Sequence, residues 1–308
     1  MGNEFFFDWE PVFMEKLQSH LGSFGTSLMS IFSAFGEEVI LIAFMCVLYF
    51  IVDKEAAKYV ARRFMIASCF YAGIKNIVCR LRPYMVHDNV KCLKPVDKSA
   101  DLMDISAQGY SFPSGHSSGS SSIFIGAAIY LKKHILTAVS VIIVLLVGIS
   151  RFCLGAHYPT DVLAGWAIGI SSIGLFSLLE KLIKDRRIIY LIFIVLFIPG
   201  FFFCTTNDFY TNYGLMTGMF AADLFEERFA KFGKPANIFL GLLRIAGAIV
   251  LYFGVNTLLK LPFSSDFLAS GTTAAHIVRS CRYFAVIFIS LGVYPACFKL
   301  FHKKEKAA

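Results

Sequence analysis

The chain is expected to fold as an all-α, polytopic integral membrane helical bundle. It should hold about nine transmembrane helices and an N-terminal amphipathic helix. Three observations carry that expectation. Of 308 residues, 57% are hydrophobic and 16% charged, where a soluble domain is nearer a quarter charged. Mean hydropathy is +0.66. Apolar runs recur along the chain, most of them approaching the roughly 20 residues that a bilayer-crossing helix needs. The net charge of +8 sits in short clusters between those runs. Flanking cations of membrane helices are placed that way, and the arrangement argues against a nucleic-acid partner.

Residues 8–24 come first. Val12, Phe13, Leu17, Leu21 and Phe24 recur at helical spacing, with Glu15, Lys16 and Ser19 between them. That pattern predicts an amphipathic helix lying in the membrane interface. The opening MGNEFFFDWE carries acids and no basic segment, so no cleavable signal peptide is expected. Phe6 stands where a myristoylation signal has Ser or Thr. Candidate spans follow at 37–52, 59–79, 117–133, 135–150, 162–180, 188–204, 213–230, 236–259 and 280–300.

No linker or fixed-period repeat divides the chain, which reads as one membrane domain. Within it, 1–36 is an interfacial segment, 37–180 a core carrying the polar motifs, and 181–308 a transmembrane extension. The longest polar stretch, 84–112, joins the second and third spans. An ordered loop of that length is commonly a lid or a binding segment. Basic residues set the orientation. The connections holding Lys54 to Arg63 and Lys181 to Arg187, and the tail from Lys299 to Lys306, are expected inside. The N-terminus and the 84–112 loop then lie outside.

The eight cysteines form no CxxC and no zinc-type spacing, and most lie within apolar runs as small hydrophobes. Gly214, Gly218 and Ala222, four apart, are expected on one face for close helix packing. Asp223, Glu226 and Glu227 read as solvated near a span end. Arg244, within a span, is expected to pair with Asp223.

Three polar clusters fall at span boundaries on the outer side. Lys75 precedes Arg82-Pro83 at the end of the second span. Pro113-Ser114-Gly115-His116 opens the third, and Ser150-Arg151, His157 and Asp161 lie between the fourth and fifth. Arg is a planar fork suited to phosphate oxygens, and Lys a mobile point charge for the same group. Ser114, Gly115 and His116 precede a helix whose first N–H groups favour an anion. His157 and Asp161 are four apart. A carboxylate so placed can bond one imidazole nitrogen and leave the other as a base or nucleophile. A second histidine, His116, can then protonate a leaving oxygen. Each piece alone has an ordinary use: a snorkelling cation, a helix start, a capping pair. Together, in this order and on one side, they point to phosphoryl chemistry.

Lys75 with six residues before Arg82-Pro83, PSGH at 113–116, and SR with five residues before His157 and three more before Asp161 form one signature. It resembles that of the type 2 phosphatidic acid phosphatase superfamily. That superfamily takes in lipid phosphate phosphatases, glucose-6-phosphatases and vanadium haloperoxidases. Every signature position matches. The layout of nine spans with the N-terminus outside is similar to that of glucose-6-phosphatases and sphingosine-phosphate phosphatases. The resemblance implies a plasma-membrane or organelle-lumen hydrolase of lipid phosphates, with no metal and no cofactor. Its partners would be a lipid phosphate substrate and membrane lipids. By resemblance, His157 is the nucleophile forming phosphohistidine and Asp161 orients it. His116 is general acid, then base. Lys75, Arg82, Arg151, Ser114 and the Gly115 N–H hold the phosphate oxygens. Transfer to an acceptor other than water, or a sugar-phosphate substrate, are the alternatives.

Overall fold

The structure, a computed structural model, describes residues 2–298. The Lys-rich tail expected inside lies outside the described residues. Regular structure in them is helical, and the extended pairing is an isolated parallel bridge between Asn3 and Arg80. All eight cysteines are free thiols.

By length and composition, five described helices can cross a membrane: His134–Cys153, Pro159–Leu182, Arg186–Phe203, Ile238–Leu258 and Thr273–Ala296. A sixth is added if Trp9–Ala34 and Glu38–Val52 count as one bent span. The expected nine are not confirmed by this measure, because three helical stretches that form as anticipated are too polar or too short for it. Lys54–Val78 carries Lys58, Arg62, Arg63 and Lys75, all buried. The 115–131 stretch buries a run of serines. Asn207–Phe225, with the π-helical turn Glu226–Ala230, buries Asp223 and Glu226. Polar residues turned inward lower the hydropathy of a helix that is nonetheless buried.

The N-terminal helix also differs from expectation. It runs over Trp9–Ala34, kinks at Gly22 (φ 55°), and packs along His134–Cys153. Val12 and Phe24, from the expected apolar stripe, are exposed, whereas Glu10 and Met14 are at 0%. Met14 joins Val90 and Tyr158 in a small core flanked by Phe6 and Phe152. The helix is therefore packed into its unit while its apolar stripe stays exposed.

The chain resolves into two compact units. Among the described residues, one comprises 2–42 with Phe70–Leu178, the other Ala43–Cys69 with 179–298.

In the second unit, Asn207–Phe225 packs against Thr273–Phe288. A Cβ on Gly214 would fall 2.3 Å from the Ser280 carbonyl oxygen, and one on Gly218 would fall 2.3 Å from the Ile287 side chain. The close packing expected from the small residues is present. Of the acids expected to be solvated, Glu227 is exposed, but the other two are not. Asp223 and Glu226 are buried and meet Lys58 Nζ at 2.8 and 3.0 Å. Arg62 Nη1 reaches Asp223 at 2.9 Å and Lys54 Nζ reaches Glu226 at 2.8 Å. The Tyr190 hydroxyl also donates to Asp223. Asp223 is thus occupied, and the expected Arg244 partner is replaced. Arg244 donates to the Gly233 carbonyl at 2.8 Å and lies over the Phe298 ring at 4.5 Å.

In the first unit, the 84–112 loop is tied down along its length. The Gln18 side chain donates to the Lys91 carbonyl at 2.8 Å and accepts from the Lys91 amide at 2.9 Å. The Leu93 amide reaches the Leu154 carbonyl at 3.0 Å. Gly155 permits that approach. Its φ is +77°, and a Cβ there would sit 2.1 Å from the Lys91 carbonyl oxygen. Buried Gln108 donates to the Asp97 carbonyl at 2.8 Å and accepts from the Val96 amide at 3.0 Å.

Candidate functional site

The first unit gathers the three sequence clusters. His134–Cys153 ends just beyond Arg151, and the chain turns so that the amides of Ala156 and His157 both donate to the Arg151 carbonyl, at 3.0 and 3.3 Å. That turn fixes His157 close to the Arg151 backbone. Pro159 opens the next helix, with Asp161 in its first turn. There the Asp161 carboxylate accepts the Tyr158 amide at 2.8 Å. Asp161 is fully buried and His157 is 2% exposed.

The direct Asp161–imidazole bond expected from the spacing is not made. His157 Nδ1 lies 2.8 Å from the Ser111 carbonyl oxygen, and the Asp161 carboxylate is 3.5 Å away. Asp161 is instead engaged by Tyr158 N–H, by the Ser111 hydroxyl, and by Arg80 Nη1 at 2.7 Å. A carbonyl only accepts, so the Nδ1 contact puts the neutral ring's proton on Nδ1 and leaves the lone pair on Nε2. Ser111 is the pivot: its carbonyl holds the imidazole and its hydroxyl holds the carboxylate.

Three cations converge on this histidine. Lys75 lies in the last turn of Lys54–Val78. Arg82 caps the short Pro83–Val86 helix and is fixed by three neutral acceptors. Its Nε donates to the carbonyls of Gln108 and Gly109 at 2.9 and 3.0 Å, and its Nη1 to that of Ala156 at 2.8 Å. Arg151 Nη1 donates to the Ser33 hydroxyl at 2.6 Å, while its buried Nε has no protein partner. Burial first, then the charges of Arg82, Arg151 and Lys75, hold the His157 imidazolium well below its ordinary range. Burial and these charges thus favour the neutral imidazole, the form in which a nucleophile keeps its lone pair.

His116 lies within electrostatic reach of the same cations and of His157. Gly36 is packed against it, so that a Cβ on Gly36 would come within 3.0 Å of the His116 Cβ. Ser114 also has a structural use. Its hydroxyl caps the Gly115–Ser120 helix, accepting from the Ser117 amide at 3.3 Å and the Ser117 hydroxyl at 2.9 Å. Its amide donates to the Asp161 carbonyl at 3.0 Å, stitching the second cluster to the third. Small residues allow the two helices to touch. A Cβ on Gly165 would fall 2.5 Å from the Ser114 carbonyl oxygen, and one on Gly169 would fall 2.0 Å from the Ser121 hydroxyl.

The structure adds residues that the sequence did not single out: Arg80, Glu10, Ser111, Thr160, Ser33 and Gly36. The Arg80 contacts span 70 residues to Glu10 and 81 to Asp161, and no local pattern marks either. Ser111, two residues before the PSGH tetrapeptide, was the nearest to being found. Among the described residues, no three His, Cys, Asp or Glu side chains gather as a metal-holding group.

Comparison with known proteins bears on the same segments. The PAP2 superfamily matches residues 56–185, and the PAP2 superfamily phosphatase transmembrane extension matches residues 210–306. The chain is 36% identical over 87 residues to phosphatidylglycerophosphatase B of Bacillus subtilis, covering 25% of this chain and 43% of that protein. It is 30% identical over 142 residues to lipid A 1-phosphatase of Rhizobium etli, covering 44% and 56%. Undecaprenyl-diphosphatase of Sulfolobus acidocaldarius is 27% identical over 173 residues, 51% of this chain and 76% of that protein. The chain thus spans about half the length of the first two relatives. No solved structure matches it significantly. The chain thus carries a PAP2 superfamily domain over residues 56–185 and a PAP2 superfamily phosphatase transmembrane extension over 210–306.

Proposed function

We propose that this protein is an integral membrane phosphatase that hydrolyses a phosphate monoester or diphosphate of a lipid through a phosphohistidine on His157. One observation carries the reading: a buried imidazole whose Nδ1 faces an obligate acceptor, under the charges of Lys75, Arg82 and Arg151. The names of the similar proteins support the lipid phosphate. Nε2 attacks phosphorus, the P–O bond to the leaving alcohol breaks, and His116 supplies the proton to that oxygen. Water then attacks the phosphohistidine, His116 takes its proton, and inorganic phosphate leaves. The three cations, with Ser114 and the Gly115 N–H, hold the phosphate oxygens as charge builds. Asp161 acts on His157 through Ser111. No metal ion has a part in the scheme.

The test is phosphate release by the purified full chain from phosphatidic acid, phosphatidylglycerol phosphate, undecaprenyl diphosphate and sphingoid phosphates, with His157→Ala as blank. We expect release from at least one, unchanged by EDTA. Release lost in EDTA and restored by Mg²⁺ would sink the metal-free scheme. Label leaving the lipid without inorganic phosphate would point to transfer instead of hydrolysis.

The basic connections support an orientation with the site on the outer face of a cell membrane. In intact cells a membrane-impermeant thiol reagent should label half-buried Cys92 but not a cysteine introduced by Ala307→Cys. The opposite pattern would invert the topology and place the chemistry inside.

A further inference from the structure

The Asp161 carboxylate is held by groups that no signature residue supplies. Arg80 is wholly buried. Its Nη1 donates to Asp161 Oδ1 at 2.7 Å and to the Thr160 hydroxyl at 2.8 Å. Its Nη2 donates to Glu10 Oε2 at 2.7 Å and its Nε to the Phe5 carbonyl at 2.6 Å. The guanidinium lies over the Tyr158 ring, 3.8 Å from its centroid. Glu10, also wholly buried, closes the ring by accepting the Thr160 amide at 3.0 Å and hydroxyl at 2.6 Å. It comes from the first helix, well before residue 56, where the family match begins.

The charges in this ring have a consequence for His157. A buried carboxylate without a cation neutralises itself by taking a proton. Arg80 opposes that at Asp161, yet a lone Arg80 would cancel the carboxylate's field. Glu10 supplies the second negative charge. Two carboxylates share one guanidinium, so the group keeps a net negative charge. That charge lies beside the imidazole, which becomes positive as Nε2 bonds phosphorus, and it opposes Lys75, Arg82 and Arg151. The covering of Arg80 by Phe5 and Tyr158 excludes water and strengthens the effect.

We infer that Arg80 and Glu10 are a positioning pair for phosphoryl transfer: they keep Asp161 ionised and fixed, and through it and Ser111 they set the orientation and basicity of His157. The first helix is on this account part of the catalytic unit. The inference rests on the nucleophilic role proposed for His157.

Its test is single-turnover labelling of the full chain, reconstituted in vesicles, by a radiolabelled lipid phosphate. Wild-type label must appear on His157. Its absence overturns the nucleophile reading itself and is seen before any variant is compared. Arg80→Met should slow labelling about 100-fold, as loss of orientation does, with KM changed by less than about threefold. Asp161→Asn should slow it comparably, and Arg80→Met/Asp161→Asn no more than the slower single variant. Slowing in the double variant equal to the product of the singles would overturn the pair, because Arg80 would then act independently of Asp161. Glu10→Gln keeps the side chain's shape. It should slow labelling about tenfold and move the acid limb of the rate to lower pH, since removing negative charge makes His157 harder to protonate. An acid limb left in place would overturn the electrostatic role. If Arg80→Met does not accumulate, Glu10→Gln with Asp161→Asn runs the same cycle, with additivity again the contrary result.

Discussion

His157→Ala should abolish turnover, by a factor on the order of 10⁶, as loss of a nucleophile does where the remaining groups act as a unit. No phosphorylated protein should be trapped. His116→Ala should differ in kind. With a lipid substrate, whose alcohol is a poor leaving group, the loss is expected at about 10² to 10⁴-fold, the range of general acid catalysis. With an aryl phosphate, whose leaving oxygen needs no proton, labelled His157 should still form and should accumulate, because His116 is then missing as base for the water. The prediction follows from the separate placement of the two rings. His157 is locked by Ser111 beside Asp161, while His116 stands at the start of another helix against Gly36. Acid-quenched labelling of the two variants decides it. Label retained by His157→Ala would put the nucleophile elsewhere.

Asp223→Ala should be the most damaging single change in the second unit, costing about 3 to 5 kcal/mol of its stability. Asp223 is fully buried and is the shared partner of Lys58 at 2.8 Å, Arg62 at 2.9 Å and the Tyr190 hydroxyl. Truncation leaves Arg62 without that carboxylate, and a buried charge stripped of its partner costs more than the pair ever contributed. Lys58 keeps Glu226 at 3.0 Å, which limits the loss. Asp223→Asn, which can still accept hydrogen bonds, should fall between Ala and wild type. Denaturant or thermal melting of the detergent-solubilised chain measures both. A loss under about 1 kcal/mol would mean that these charges are screened like surface pairs.

The legible part of the site was the part held in short spacings. Lys75 to Arg82, Pro113 to His116 and Arg151 to Asp161 each lie within one turn or one helix junction. Residue type and interval alone therefore define their chemistry. The helices were legible for a related reason: apolar runs of span length leave few alternatives. Less legible were the count of spans, since helices with buried charge read like the apolar ones, and the burial of Asp223 and Glu226, which had read as solvated. In a membrane protein, an acid in a helix can face water or an interior cation. One sequence does not say which, because the deciding partner lies far along the chain. Lys58 finds Glu226 at a separation of 168 residues, and Arg80 finds Glu10 at 70.

The sequence by itself determined that the chain is helical, with apolar runs long enough to cross a membrane, and which histidines, cations and carboxylate to propose for phosphoryl chemistry. Tertiary structure alone decided that His157 leans on the Ser111 carbonyl and not directly on Asp161, that Ser114 caps its own helix, and that Asp161 is clamped by Arg80 and Glu10. The reason is physical. A side chain's identity sets which bonds it can make, but burial removes water as a competitor, and the partner it then takes is set by packing between segments far apart in the chain.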